Sequence, residues 1–219
     1  MKLNIYWVLG GIILLAVLLL VAAAWMKKRK LQKLGKEGEK QVSRILRRYA
    51  RLRSYKVIDD LYLPLYDKTT QIDHVLIGFF GILVVETKNL KGEIYGEPKK
   101  KDWLHIVGGK RRSLYNPLLQ NQTHIDCIRY LCGKENLYNL NIESLVVFTQ
   151  RKSTLYLPNN LPIIRVERLR RFLRQPRFQQ DHNFDVEQIY GILKKYEVTD
   201  KKRIADHNKN VRKMAKNNS

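Results

Sequence analysis

The chain has 219 residues, with 42 lysines and arginines against 20 aspartates and glutamates, a formal net charge of +22. A field of that sign selects polyanionic partners, either nucleic acid or an anionic lipid surface. Its two cysteines, Cys127 and Cys132, lie five residues apart with no second Cys or His pair, which excludes a zinc site and agrees with free thiols in a reducing compartment.

From Ile5 to Met26 the residues are almost all apolar and none is charged, and Lys27-Lys28-Arg29-Lys30 follows directly. About 20 apolar residues cross a bilayer core as a helix, so 5–26 is expected to be a transmembrane anchor. Trp7 and Trp25 stand near its two ends, where amphipathic rings favour the interface. A secretory signal carries its positive charge before the apolar run, and only Lys2 precedes this one. Ala22-Ala23-Ala24 resembles a cleavage site, so a cleaved signal is the alternative. The basic cluster is expected to stay on the cytoplasmic side, and 27–34 to form a basic linker.

The remaining ~190 residues suffice for one domain with a proper core. Val42, Ile45, Leu46 and Tyr49 recur at helical spacing, predicting a helix over 36–50. Val57 to Leu63 alternates weakly and reads as a strand. Gln71 to Ile77 and Ile82 to Lys88 are stronger strands around Gly78-Phe79-Phe80-Gly81, a short hairpin signature. Residues 91–107 contain Gly92, Gly96 and Pro98 and read as an irregular β excursion. Pro117 opens a helix through Cys132, as proline at the first helical position does. Ser144 to Thr149 and Leu161 to Val166 are compact strands, followed by helices over 167–174 and 185–197. Residues 199–219 are polar and basic, and the default for them is a solvated tail. The order predicts an α/β sandwich on a mixed sheet, with a main domain over 35–150 completed by 151–198.

The hairpin carries the chemistry. If Ile77 faces Ile82, antiparallel pairing sets Asp73 opposite Glu86 and Gln71 opposite Lys88. Alternation along the strands then puts Asp73, Glu86, Lys88 and Gln71 on one face. Two carboxylates among Val75, Ile77, Ile82 and Val84 repel each other and lose hydration, which favours a raised pKa or a bound cation. Oxygen ligands without clustered Cys or His suit Mg²⁺ or Mn²⁺. An ammonium two residues beyond the second carboxylate can hold a water or stabilise charge on a phosphate, the equipment of phosphodiester hydrolysis. The plain alternative is an ordinary hairpin with exposed cross-strand ion pairs. Trp103, Tyr115 and His124 are candidates for stacking on bases, with Trp103 better read as core, and His74 as a core histidine on the opposite face from Asp73.

The blocks Gly35-Lys36-Glu37-Gly38-Glu39, Gln71-Ile72-Asp73-His74-Val75-Leu76-Ile77-Gly78 and Gly81-Ile82-Leu83-Val84-Val85-Glu86-Thr87-Lys88-Asn89 resemble the nuclease-related domain family. Gly92, Gly96, Trp103, Asn116-Pro117, Gln120-Asn121 and His124 extend the resemblance across about residues 35–133. It implies a restriction-endonuclease-like core of helix, three-stranded antiparallel meander, helix and further strand, as in the PD-(D/E)XK nucleases. It further implies Asp73 and Glu86 as metal ligands, Lys88 as the catalytic lysine and Glu39 as a catalytic acidic residue on the first helix. Gln71 and Gln120 become candidates for substrate or water positioning. Ile72 stands where the nuclease pattern names proline, a variable position. The expected function is a Mg²⁺- or Mn²⁺-dependent nuclease acting on nucleic acid, DNA above all. It would be held by a single pass in a bacterial cell membrane with the domain facing the cytoplasm. The competing expectation is a non-catalytic nucleic-acid-binding or membrane-organising module that keeps the fold.

Overall fold

The computed structural model describes residues 2–217. Helix α1 (Lys2–Arg51) opens the chain, which divides into two compact units after Glu37. In the first unit the stretch Trp7–Met26 is long and apolar enough to cross a membrane, and its side chains are all exposed. The Arg29 guanidinium lies 3.8 Å over the Trp25 ring. Residues 27–34, expected as a basic linker, continue the helix; lysine and arginine are good helix formers, so a charged stretch need not break the turn pattern.

The second unit, from Gly38 onward, is built on a five-stranded sheet. Strands β1 (Lys56–Leu65), β2 (Lys68–Gly78) and β3 (Gly81–Lys88) form an antiparallel meander. Strand β4 (Gly92–Tyr95), strand β5 (Asp102–Val107) and strand β6 (Lys110–Tyr115) follow, then helix α2 (Pro117–Lys134). Strand β7 (Ile142–Phe148) returns parallel to β3, β8 (Ser153–Tyr156) follows, and β9 (Ile163–Arg165) adds parallel to β7. Helices α3 (Val166–Phe172), α4 (Val186–Lys195) and α5 (Lys201–Asn217) end the order. The sheet order is β1-β2-β3-β7-β9, and a second sheet runs β6-β5-β4-β8. The restriction-endonuclease-like α/β architecture is therefore present, with the irregular excursion resolved into this second sheet.

Alternation in β3 decides the layering. Leu83 and Val85 pack with Val42, Leu46, Leu145 and Leu169, so α1 and α3 cover one face. Ile82 and Val84 pack with Ile125, Ile128 and Ile189, so α2 and α4 cover the other. Trp103 is buried with Ile94, Val146 and Phe148 under the second sheet, a core position as the sequence suggested.

Local chemistry explains the joints. Gly78 pairs with Gly81 across a two-residue Phe79-Phe80 turn, and Gly81 takes φ +113°, which other residues rarely adopt. At Gly38 a Cβ would stand 2.5 Å from Thr149 Oγ1, so only glycine lets α1 approach the end of β7. Asn116 caps α2 by accepting the Leu118 N–H at 2.9 Å, with Pro117 at the first position.

Residues 199–219 were expected as a solvated tail, yet α5 is a helix and the last two residues lie outside the described ones. Asp200 Oδ1 accepts the Arg203 N–H, His207 Nδ1 lies 2.7 Å from Thr69 O, and the His207 ring meets Tyr62 edge-on. Few apolar residues suffice here because a cap and one polar anchor supply the docking.

Candidate active site

The β2–β3 register is the one the hairpin demanded: Ile77 opposite Ile82, Val75 opposite Val84, His74 opposite Val85. The ladder stops there, one step before Asp73 and Glu86. The two strands stay tied at this opening because Asp73 Oδ2 accepts the Thr87 N–H at 2.8 Å. Asp73, Glu86 and Lys88 thus gather where the strands part, at the end of β3 beside β7.

Glu86 is 2% exposed. Its Oε1 receives a hydrogen bond from Lys88 Nζ at 2.7 Å, and the same ammonium donates to Gln120 Oε1 at 2.9 Å. Its Oε2 has no hydrogen-bond partner and lies 3.4 Å from His124 Nε2, itself unpartnered. His124 Nδ1 and Thr70 Oγ1 are hydrogen-bonded at 2.9 Å. Lys88 is therefore gripped between a strand and a helix, and Glu86 is braced from behind by a buried histidine.

The charges follow from this packing. Burial raises the Asp73 pKa and the neighbouring Glu86 charge raises it further, against the opposing pull of Lys88 and the Thr87 N–H. Burial would also raise Glu86, but the Lys88 charge and His124 overcome it and hold Glu86 at about 2. Burial works to lower the Lys88 pKa; the Glu86 carboxylate beside it wins, and the ammonium is kept charged. The pair thus shares its negative charge unequally: Glu86 is ionised against Lys88, and Asp73 is reluctant to ionise.

The Nuclease-related domain model matches residues 34–149, more than half of the chain. The chain belongs to the nuclease-related domain family. A nuclease-related function goes with this membership. An uncharacterised protein of Bacillus anthracis is 39% identical over 125 residues, 57% of this chain and 58% of that relative. The chain therefore spans less than two thirds of the relative's length. No solved structure matches it.

Within the nuclease-related domain, the expected residues divide. Asp73, Glu86, Lys88 and Gln120 come together, and Glu39 on α1 is near enough for its charge to act on both Asp73 and Lys88. Gln71 does not join them. Its amide donates to Asp60 Oδ1 at 2.5 Å and it pairs with Tyr62 in β1, so the expected place beside Lys88 is corrected. The cause is Asp60, which has φ +55° and no rung between Asp59–His74 and Leu61–Ile72. Val75 and Ile77 face the α2 side; beyond this irregularity Ile72 packs into that same core and Thr70 reaches His124. The alternation has shifted by one residue, and Gln71 turns outward.

His124 is 3% exposed, which corrects its candidacy for base stacking, whereas Tyr115 is 40% exposed. Sequence reasoning missed His124 and Thr70 as the brace behind Glu86. A signal existed: Gln120 and His124 stand at i and i+4 of α2, so a helix that aims one at Lys88 aims the other beside it.

Among the described residues no group of three His, Cys, Asp or Glu could hold a metal ion unaided. Mg²⁺ tolerates this, since it keeps several waters and takes one or two carboxylates plus substrate phosphate. The buried Glu86 Oε2, with His124 Nε2 3.4 Å away, and the Asp73 carboxylate beside its like charge fit such a cation.

Proposed function

We propose that this protein is a Mg²⁺- or Mn²⁺-dependent nuclease that hydrolyses phosphodiester bonds in DNA. The observation that supports this best is the convergence of the buried Glu86 carboxylate, the half-buried Asp73 carboxylate and the half-buried Lys88 ammonium at the opening of the β2–β3 hairpin. Asp73 and Glu86 would hold the cation, which supplies charge withdrawal from the phosphate and a lowered water pKa. Lys88, positioned by Glu86 and Gln120, stabilises negative charge as it develops on the phosphoryl oxygens. Glu39 adds a further negative charge on the α1 side, suited to orienting a water.

The apolar stretch Trp7–Met26, exposed throughout and followed by Lys27-Lys28-Arg29-Lys30, supports a single-pass anchor with the nuclease-related domain in the cytoplasm of a bacterium. Labelled DNA and RNA incubated with the full-length chain and Mg²⁺, Mn²⁺ or EDTA test the catalytic reading. Metal-dependent shortening of DNA is expected. No cleavage of either polymer under any of the three conditions would leave a binding module that keeps the fold.

A further inference from the structure

Away from the carboxylates, α1 and α3 pack side by side on the other face of the sheet. Between them lies a hollow of about 520 Å³ lined by Arg44, Arg47, Arg48, Arg51 and Arg170, together with Gln41 and Ile45. Arg44, Arg48 and Arg51 share one face of α1 at helical spacing, and Arg170 approaches from α3.

Of the five, only Arg47 has a carboxylate among the described residues: its guanidinium reaches Asp59 Oδ2 at 2.6 Å. Among the described residues the guanidinium groups of Arg44, Arg48, Arg51 and Arg170 have no ion-pair or hydrogen-bond partner. The nearest acidic side chain on α3, Glu167, is turned to Arg151 at 3.4 Å. Like charges three or four residues apart on a helix repel, so four unneutralised guanidiniums around one concavity call for a counter-charge. Guanidinium forks bind phosphate oxygens two at a time, and several forks on one hollow suit a group with more than one phosphate.

We propose that this arginine hollow is a second binding site, for a compact anion bearing two or more phosphate groups. Such a group is offered by a soluble polyphosphate and by a phospholipid headgroup with two phosphates. The site is separate from the nuclease reading and does not depend on it. Arg47 also holds Asp59, so it is left intact in the test.

The experiment is calorimetric titration of the full-length chain in neutral detergent, free of divalent cations, with inorganic triphosphate. One triphosphate per chain is expected, with affinity at least tenfold weaker in the double variant Arg44→Ala, Arg51→Ala. The control Arg111→Ala, Arg112→Ala removes the same charge from the exposed strand β6 and should bind as wild type. Displacement of triphosphate by cardiolipin in the micelles, but not by phosphatidylcholine, would assign the natural source to a lipid headgroup; indifference to both would assign it to a soluble polyphosphate. Equal affinity in the Arg44/Arg51 variant and wild type, or equal weakening in the β6 control, would overturn the proposal.

Discussion

The two faces of the five-stranded sheet each enclose an aspartate, and they treat it in opposite ways. On the α1 side, Asp59 Oδ1 is bonded to His74 Nδ1 at 2.7 Å, and Oδ2 accepts from Ser43 at 2.7 Å and Arg47 at 2.8 Å. Burial works to raise its pKa, but those hydrogen bonds prevail and hold it at about 2. On the α2 side, Asp73 has one backbone N–H and the Lys88 charge in its favour, against burial, a like charge in Glu86 and a further one in Glu39. The first cluster lowers the free energy of the folded state. In the second, burial and the like charge still prevail and the Asp73 pKa stays raised; a bound cation would relieve both repulsion and desolvation at once. Compensation is what a structural aspartate needs; a carboxylate with less of it is where the proposed cation would bind.

The largest expected effect breaks the uncompensated cluster at its cation. Lys88→Met keeps the side chain's length and removes its charge, and should lower cleavage by about 10²- to 10³-fold, the usual loss for one stabilising donor. DNA binding measured in EDTA should stay near wild type, because the chain retains a large positive excess. Cleavage at the wild-type rate would remove Lys88 from the chemistry.

Next comes the compensated cluster. Asp59→Ala strips His74, Ser43 and Arg47 of their shared partner and should cost about 2 kcal/mol in denaturant unfolding at neutral pH. Its pH dependence has a definite sign. A carboxyl whose folded pKa is depressed contributes stability above its unfolded value of 3.8 and loses it as pH falls through about 2. Wild type should therefore weaken relative to Asp59→Ala between about pH 4 and 2, and parallel acid curves would contradict the assignment.

A smaller effect of opposite sign is expected at Asp73. Asn keeps an acceptor for the Thr87 N–H while removing the buried charge, so Asp73→Asn should stabilise the cation-free protein by about 1 kcal/mol. The smallest belongs to Gln71, whose side chain turns to exposed Asp60. Gln71→Ala should change stability by no more than about 0.5 kcal/mol and leave cleavage near wild type.

That contrast between Asp73 and Gln71 shows how far the sequence reached. The β2–β3 register was legible because Gly78 and Gly81 bracket a short turn and apolar residues flank it on both strands. From register alone the convergence of Asp73, Glu86 and Lys88 followed. The assumption behind Gln71 was unbroken alternation, and Asp60 breaks it by taking a left-handed conformation that no pattern in β1 announces. The second sheet was illegible for a related reason: β6 is Lys110-Arg111-Arg112-Ser113-Leu114-Tyr115, almost wholly exposed, and an edge strand of charged residues has no alternating signature. Helix α5 escaped because composition weighs apolar area, while its docking rests on His207 against Thr69 and Tyr62.

The contrast between the two aspartates is tested most directly by thermal unfolding of the full-length chain with and without Mn²⁺, in wild type, Asp73→Asn and Asp59→Asn. The account predicts that Mn²⁺ raises the midpoint of wild type and of Asp59→Asn, and leaves Asp73→Asn unmoved. A rise of equal size in Asp73→Asn, or none in wild type, would contradict it.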